Sequence, residues 1–452
     1  MHQKDTIISL ATNAGESALG IIRISGALCK TLSRDIFDTP CPTPRQTTLK
    51  TYRSVNGKII DQVIFVYYDL GKSFTGEETI EITFHGNDII AEKILEDLIC
   101  RKCRLAEPGE YTKRAFLNGK IDLTQAESVA EIIAAKSEKE LELAQHQLRG
   151  SLSKALCNLQ SDLINLQCRF EASIDFPEDE IKEHNKTEII NLITPIVFKF
   201  KDLIEFSKIN TLISRGFSIA LIGPPNVGKS SIFNNLLHEK RAIVNEQPGT
   251  TRDYITKELS IGGFRVELFD TAGIRNTDDM LESEGVQSSI NLINSANVIL
   301  LVLDCSLPYP TDFYEKIKNS IQKQVVIIIE NKSDLNTVLE RNNYPPHFSV
   351  LRTSSKDSNC SDTIRKELEL VLANYFNIDE SPSILVNKRQ SHLLRVSLTH
   401  IEEVKSLVEH SSNEEIILQE LQLCLDSLNL IIGSKDNEDM LDELFKNFCI
   451  GK

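Results

Sequence analysis

Short apolar runs dominate the first part of the chain and predict strands. Four runs have the length and apolar content of buried strands, at Thr6 to Ala11, Gly20 to Ile24, Val63 to Tyr68 and Glu78 to Phe84. A helical pattern follows over residues 89–100. Strands and helix mixed in this way indicate a compact α+β domain.

Helical spacing dominates on both sides of a central block. From Lys120 to Phe176 the chain contains no proline and only one glycine, and apolar residues recur three and four positions apart. The same pattern returns from Ile384 to Phe448, where Gly433 is the one interruption. We therefore expect long amphipathic helices before and after the block, and a central domain inserted into one helical domain.

The central block opens with a strand, a glycine-rich loop and a helix, in that order. Phe217 to Ile222 is an apolar run typical of a buried strand, and residues 223–230 read Gly-Pro-Pro-Asn-Val-Gly-Lys-Ser. This sequence matches the phosphate-binding loop at every position, with glycines that let backbone N–H groups face phosphate oxygens. Lys229 is expected to reach the β- and γ-phosphates, and Ser230 to hold Mg²⁺ through its hydroxyl.

Three further motifs follow in the order typical of a guanine-nucleotide hydrolase. Asp270-Thr271-Ala272-Gly273 closes an apolar strand, where the aspartate supports Mg²⁺ and the glycine senses the γ-phosphate. Asn331-Lys332-Ser333-Asp334 selects the base, because its aspartate can accept from both the ring N–H and the amino group of guanine. Ser354-Ser355-Lys356 is expected to give the guanine carbonyl a backbone donor. Together the motifs predict a doubly wound α/β hydrolase of GTP rather than ATP.

Two catalytic parts of small signalling GTPases have no counterpart in these motifs. The position that holds their water-orienting glutamine is Ile274, so Glu282 is the nearest candidate to hold the water, although a solvated carboxylate is the competing interpretation. No arginine finger is visible, but Asn226 can help coordinate a monovalent cation near the β–γ bridge. The segment Asn245-Glu246-Gln247-Pro248-Gly249-Thr250-Thr251-Arg252-Asp253 would wrap over that ion with its carbonyls and give Thr251 to Mg²⁺.

Composition limits the class of protein, the number of domains and the compartment that the chain can be expected to occupy. The chain has 452 residues, 41% of them apolar, which favours a globular protein of about two to four domains. A net charge of −15 argues against a protein coated in nucleic acid, although a local basic patch suffices for RNA contact. With ten scattered cysteines, a polar start and no apolar run near membrane-spanning length, we expect a reduced, cytosolic, soluble protein. We interpret the lone Cys-x-x-Cys at Cys100 and Cys103 as structural or incidental.

Over essentially its whole length the chain resembles the MnmE (TrmE) family of GTPases, which modify the wobble uridine of certain tRNAs. Besides the four GTPase motifs, the matching stretches are Gly20 to Gly26, Ser73 to Glu77, Pro108 to Phe116, Ala172 to Pro177 and the terminal Cys449-Ile450-Gly451-Lys452. The resemblance implies a multidomain α/β protein. Its parts are an α+β domain for folate binding and dimerisation (1–118), a discontinuous helical domain (119–214 and 379–452) and an inserted P-loop GTPase domain (215–378).

The resemblance also implies a folate site and a partner. The ligand is 5,10-methylene-tetrahydrofolate or a 5-formyl analogue, and its contacts fall on Arg23, Glu81, Lys120 and Lys452. With an FAD-dependent partner, the family adds a carboxymethylaminomethyl or aminomethyl group to carbon 5 of the uridine. Folate supplies the methylene carbon, and glycine or ammonia supplies the amine. Cys449 is a candidate nucleophile, and an incidental thiol near the end of the sequence is the competing interpretation.

For the GTPase, the resemblance implies activation when nucleotide domains dimerise across a K⁺ ion. Asn226, Asn245, Gln247 and Thr250 match the cation positions, and Glu282 matches the water-orienting glutamate. The chain departs from the family at Asn245 and Gln247, and at Lys113, which replaces an acidic residue. The expected GTP contacts are Asn226, Val227, Gly228, Lys229, Ser230, Ser231, residues 245–251, Asp270, Thr271, Ala272, Gly273, Asn331, Lys332, Asp334, Ser354, Ser355 and Lys356.

The expected partners are a second copy of the chain, the FAD-dependent protein in a heterotetramer or larger complex, and tRNA, with no membrane. The alternative is a GTPase that acts only as a switch in ribosome assembly. Such relatives commonly carry a second GTPase core or a C-terminal RNA-binding domain with a Gly-x-x-Gly loop, and the sequence has neither. A membrane-remodelling GTPase would need a basic or apolar tip on its helices, and no such cluster is visible.

Overall fold

The computed structural model describes residues 5–175, 186–237, 255–270, 290–321, 324–341, 344–375, 384–410, 413–433, 438–446, 448 and 451. The chain forms two compact units, each assembled from separate stretches. Unit 1 comprises Met1–Ala134, Ala144–Asp202 and Lys388–Lys452, and unit 2 comprises Ala135–Leu143 and Leu203–Asn387. The domain boundaries given above stay predictions.

The strands and main helices have these bounds. The strands are β1 (Ile7–Leu10), β2 (Leu19–Ser25), β3 (Thr48–Arg53), β4 (Ile59–Tyr68), β5 (Thr79–His85), β6 (Arg104–Leu105), β7 (Phe217–Ile222), β8 (Ile255–Ile261), β9 (Phe264–Asp270), β10 (Val298–Asp304), β11 (Val325–Asn331) and β12 (Ser349–Arg352). The helices are α1 (Cys29–Phe37), α2 (Asp88–Cys100), α3 (Glu110–Leu117), α4 (Leu123–Ala134), α5 (Glu138–Leu148), α6 (Ser151–Asp175), α7 (Lys186–Arg215), α8 (Lys229–Leu237), α9 (Thr311–Ile317), α10 (Cys360–Tyr375), α11 (Lys388–Glu409), α12 (Glu414–Ile432) and α13 (Glu438–Phe445).

Unit 1 contains a sheet in the order β3-β4-β5-β2-β1-β6. Its strand pairs are antiparallel except for β1 with β6. Buried side chains of β2, β4 and β5 pack against α1 and α2 and form the core of this part. The four predicted runs overlap strands β1, β2, β4 and β5. Strand β3 was not foreseen, because Tyr52 is the one buried side chain in that strand and gives no alternating pattern.

Helices from before and after the central block pack together in unit 1. Glu127 of α4 forms a bidentate ion pair with Arg389 of α11, at 2.7 and 3.0 Å. Gln160 of α6 donates to Asn429 of α12 at 2.8 Å. The structure thus confirms a helical part that the chain leaves and rejoins. Among the described helices, none has both the length and the apolar character needed to cross a bilayer.

The expected unbroken helical runs are interrupted more often than the sequence indicated. Between Lys120 and Phe176 the chain forms α4, α5 and α6, with a break before Glu138 and another at Gly150, whose φ is +87°. A further break precedes α12, where the side chain of Asn413 accepts from the N–H of Glu415 and caps the helix. The break at Gly433 was predicted. A Cβ there would lie 2.8 Å from the Cβ of Leu123.

Unit 2 contains a sheet in the order β12-β11-β10-β7-β9-β8. The strand pairs are parallel except for β8 with β9. Helices follow β7, β10 and β12, so the doubly wound α/β domain predicted from the motifs is confirmed. Because parallel strands end at one edge, the residues after β7, β10 and β11 come together there.

Candidate active site

The loop between β7 and α8 permits close backbone approach. Gly228 has a φ of +99°, and a Cβ at this position would collide with Nδ2 of Asn331. Lys229 begins α8, and its Nζ donates to the backbone carbonyls of Gly223 at 2.9 Å and Pro224 at 2.8 Å. The N-terminus of α8 therefore adjoins the loop, an arrangement that binds phosphate.

Asn331, at the end of β11, joins three of the motifs through one buried amide. Its Nδ2 donates to the carbonyl of Val227 at 2.7 Å. Its Oδ1 accepts from the backbone N–H of Ser355 at 2.9 Å. Ser355 is fixed from the other side, because Asn235 of α8 donates to its carbonyl at 2.8 Å. The phosphate loop, the base motif and the Ser-Ser-Lys loop are thus held in one arrangement.

Lys332 links the same loops through its ammonium group. It lies at a φ of +59°, and its Nζ donates to the carbonyl of Asn226 at 2.9 Å and to Oδ2 of Asp304 at 2.6 Å. Burial raises the pKa of Asp304, but hydrogen bonds from Lys332 and Ser306 outweigh this effect and the pKa is lowered overall. Asp304 was not among the predicted site residues. The signal for it is an acidic residue that ends the apolar strand β10, at the edge where the motifs meet.

Asp334 is an ionised acceptor at the base motif. Its Oδ1 accepts from the Ser354 hydroxyl at 2.7 Å and its Oδ2 from Nζ of Lys356 at 3.1 Å. These two hydrogen bonds lower the pKa of Asp334. A carboxylate accepts at both oxygens and donates nothing, so it suits a ligand edge with two adjacent N–H groups.

The other predicted residues of the nucleotide site fall into two groups, those that the structure describes and those outside the described residues. Asp270 ends β9 in register with Leu221, which places its backbone beside the start of the phosphate loop. Ser230, Ser231 and Asn226 lie exposed on or next to that loop. The following predicted residues lie outside the described part of the chain: Asn245, Glu246, Gln247, Pro248, Gly249, Thr250, Thr251, Thr271, Ala272, Gly273, Glu282, Cys449 and Lys452.

The described residues contain no cluster of three or more His, Cys, Asp or Glu side chains suited to a metal ion. Mg²⁺ in nucleotide sites is typically held by few protein groups together with phosphate oxygens and water. The exposed hydroxyl of Ser230, at the start of α8, fits that donor set.

A second group of predicted residues lies on the sheet of unit 1. Arg23 of β2 and Glu81 of β5 are register partners, and the Arg23 guanidinium contacts Oε1 of Glu81 at 2.9 Å. Tyr68 donates to the other carboxylate oxygen at 3.3 Å. Arg23 lies 5.7 Å from the ring centre of Tyr111, whose buried hydroxyl donates to the Arg23 carbonyl at 2.8 Å. Neither tyrosine was among the predicted folate contacts.

Lys120 and Gly451 also lie close to this sheet, but they contact different residues. Lys120 donates to the carbonyl of Gly71 at 2.9 Å. Gly451 packs on β1, where a Cβ would lie 2.8 Å from the carbonyl of Leu10 and 3.4 Å from Oγ of Ser9. Ser9 in turn bonds to the hydroxyl of Tyr111 at 3.2 Å. Gly451 and the hydroxyl of Tyr111 therefore both lie next to the side chain of Ser9.

The matching stretches at Ser73 to Glu77 and Pro108 to Phe116 are joined by ion pairs. Arg114 contacts Glu77 at 3.1 Å, Glu110 at 2.9 Å and Asp5 at 2.9 Å. Burial raises the pKa of Glu110, but hydrogen bonds from Arg104, Arg114 and the backbone lower it overall. Lys113, the departure noted above, forms an ion pair with Asp442 of α13.

Two family models match the chain. The model described as "GTP-binding protein TrmE N-terminus" matches residues 6–120, and the model of the MnmE helical domain matches residues 123–449.

Individual proteins match along their whole length. The tRNA modification GTPase MnmE of Aquifex aeolicus is 38% identical over 451 residues, which cover 99% of this chain and 100% of that protein. The protein of the same name from Flavobacterium johnsoniae is 35% identical over 468 residues, with 100% of both chains covered. Among solved structures, Era in complex with MgGDPNP and part of 16S ribosomal RNA is 26% identical, covers 35% of this chain and 55% of its own, and has a TM-score of 0.26.

Proposed function

Since the chain belongs to the MnmE (TrmE) family of tRNA modification GTPases, we propose that it is a K⁺-activated GTP hydrolase that acts with an FAD-dependent partner. The pair adds a carboxymethylaminomethyl or aminomethyl group to carbon 5 of the wobble uridine of certain tRNAs. The observation that carries the nucleotide part is the buried amide of Asn331, which holds the phosphate loop against the base motif.

GTP binding follows from the arrangement of these loops. The backbone N–H groups at the start of α8 receive the phosphates, and Lys229 exchanges the carbonyls of Gly223 and Pro224 for β- and γ-phosphate oxygens. Asp334 accepts from the ring N–H and the amino group of guanine. Lys356 is the exposed partner of Asp334, so it can move aside when the base enters.

K⁺ activation rests on Asn226. Its backbone carbonyl is used by Lys332, while its side chain is exposed on the phosphate loop and free to coordinate a cation. A monovalent cation there would add positive charge beside the β–γ bridge. Asn245, Gln247 and Thr250 would complete its ligands. Ser230 and Thr251 would hold Mg²⁺, and Glu282 would orient the attacking water.

The folate site is proposed on unit 1. Arg23 and Glu81 are 24% and 27% exposed, so their pair is reachable by a ligand that offers both donors and acceptors. The packing of Gly451 next to Ser9, which donates to the hydroxyl of Tyr111, supports a contribution from Lys452. Lys120 is the fourth proposed contact. The bound folate would supply the methylene carbon, and glycine or ammonia the amine. Cys449 is proposed as a nucleophile, and dimerisation through this part of the chain would follow the family.

The first test is GTP turnover in KCl and in NaCl at equal ionic strength. We expect turnover severalfold faster in K⁺, because the cation takes the place of an arginine finger. Asn226→Ala should abolish that gain, and Glu282→Ala should lower turnover in both salts. Asn359→Ala, at an exposed site on the same unit, is the control that should keep the gain. Equal wild-type rates in the two salts would refute the cation mechanism and favour a switch-type GTPase.

A further inference from the structure

A carboxylate that belongs to no known motif lies buried beside the base motif. Glu330 precedes Asn331 in β11, and its side chain is 3% exposed. Side chains alternate along a strand, so Glu330 points to the face of the sheet opposite Asn331. A buried carboxylate is costly unless it is fully paired, which indicates that its partners matter.

The partners of Glu330 come from one later segment. Arg341 donates from Nε to Oε1 and from Nη2 to Oε2, both at 2.7 Å, which is the bidentate geometry of a strong ion pair. Tyr344 donates to Oε1 at 3.2 Å. Arg341 itself is 58% exposed, so the pair joins a buried strand end to a surface loop.

The ion pair closes the loop that carries the base-selecting residues. The chain leaves β11 at Asn331, passes through Lys332 and Asp334, and returns at Arg341 to the residue next to its starting point. In between, the N–H of Val338 donates to the carbonyl of Cys305 at 2.8 Å. The position of Asp334 thus depends on a loop fixed at both ends.

We propose that the Glu330–Arg341 ion pair is a positioning device that sets how sharply this protein discriminates guanine from a purine without the 2-amino group. The inference rests on the proposed GTP binding. Asp334 must meet two parallel N–H groups at once, and hydrogen bonds weaken steeply with misalignment. If the loop is no longer held at Arg341, the Asp334 carboxylate is still present but can rotate. The hydrogen bond to the 2-amino group of guanine is then weakened most.

The test compares GDP with inosine diphosphate, which lacks only the 2-amino group. Arg341→Met should weaken GDP binding roughly tenfold, as expected for a charge-assisted hydrogen bond, and change inosine diphosphate binding much less. The ratio of the two affinities should therefore fall. Lys318→Met, which removes an exposed lysine paired with Glu315 on the same unit, is the matched control and should leave the ratio unchanged.

Two further variants separate positioning from stability. Arg341→Met leaves a buried charge, whereas Glu330→Gln/Arg341→Met removes it and should recover thermal stability without recovering the ratio. Arg341→Lys keeps one contact and should give an intermediate ratio. If GDP and inosine diphosphate weaken equally in the Arg341 variants, the positioning role is wrong. If the wild type binds neither nucleotide, the proposed function fails as well.

Discussion

At the scale of single residues, the nucleotide site depends on Gly228, where there is no room for a side chain, and on Asn331, whose amide makes two specific hydrogen bonds. Gly228 lies directly against the amide of Asn331, and that amide is bonded to Val227 and Ser355. Neither contact can be lengthened without separating two loops. The residue type at these positions is therefore restricted by the room available as much as by hydrogen bonding.

Gly228→Ala should abolish nucleotide binding. The new Cβ would collide with Nδ2 of Asn331, and the positive φ adds strain of about 1 kcal/mol. Gly57→Ala is the matched control, since Gly57 also has a positive φ, +73°, but nothing lies within 4 Å of the added Cβ. Titration with a fluorescent GDP analogue measures both. Unchanged binding in Gly228→Ala would show that the loops can separate without loss.

The residues that the sequence revealed are those with their own motif. Gly228, Lys229, Asn331 and Asp334 are found because loop, base and phosphate chemistry require fixed spacings, and their roles toward GTP stay predictions. Asp304 carries no motif, because its contact with Lys332 joins positions far apart in the sequence. Arg341 was missed because its partner Glu330, 11 positions earlier, belongs to no motif either.

At the scale of elements, apolar runs located the strands better than helical spacing located the helix ends. β7 matches its predicted bounds, since an inner parallel strand is apolar throughout. The breaks before α5 and α12 were missed, because the polar runs there, Lys136 to Glu140 and Glu409 to Glu415, contain neither glycine nor proline. Caps and tertiary contacts determine those ends.

Helix packing in unit 1 should depend on Arg389. Arg389→Met leaves the Glu127 carboxylate, 8% exposed, without its cation and should cost about 3–5 kcal/mol. Lys201→Met removes a cation from an exposed pair with Glu402 and should cost about 0–1 kcal/mol. Urea unfolding followed by circular dichroism compares them. Equal losses would mean that the buried pair contributes little to the packing.

At the scale of the whole molecule, acid should act in two opposing ways. The chain carries a net charge of −15, so protonating carboxyl groups at first reduces repulsion between like charges. Protonation has the opposite effect on the ion pairs of Arg104 and Arg114, because it weakens them and so destabilises the folded state. Both acidic partners, Asp5 and Glu110, have lowered pKa values despite the effect of burial. Their pairing stabilises the folded state above the ordinary carboxyl pKa.

We therefore expect α3 to lose protection when the pH falls below about 4.5, the ordinary pKa of a glutamate. A carboxyl group whose pKa is lowered on folding stabilises the protein above its unfolded value, and the effect disappears as pH falls through the folded value. Hydrogen exchange of residues 110–117 at pH 7 and pH 4 measures the change. In Glu110→Gln, protection should be lower at pH 7 and depend less on pH. A wild-type α3 that is equally protected at both values would contradict this account.

The contact of Gly451 with β1 affects the order in which the protein can fold during synthesis. Strand β1 is synthesised long before Gly451, which packs against it. In the same way, Glu127 is synthesised before its ion-pair partner Arg389, which lies 262 positions later. The stretches of unit 2 are all made by residue 387, before those late partners emerge. Unit 2 can therefore fold co-translationally. Unit 1, by contrast, gains these contacts only after Arg389 and Gly451 have been synthesised.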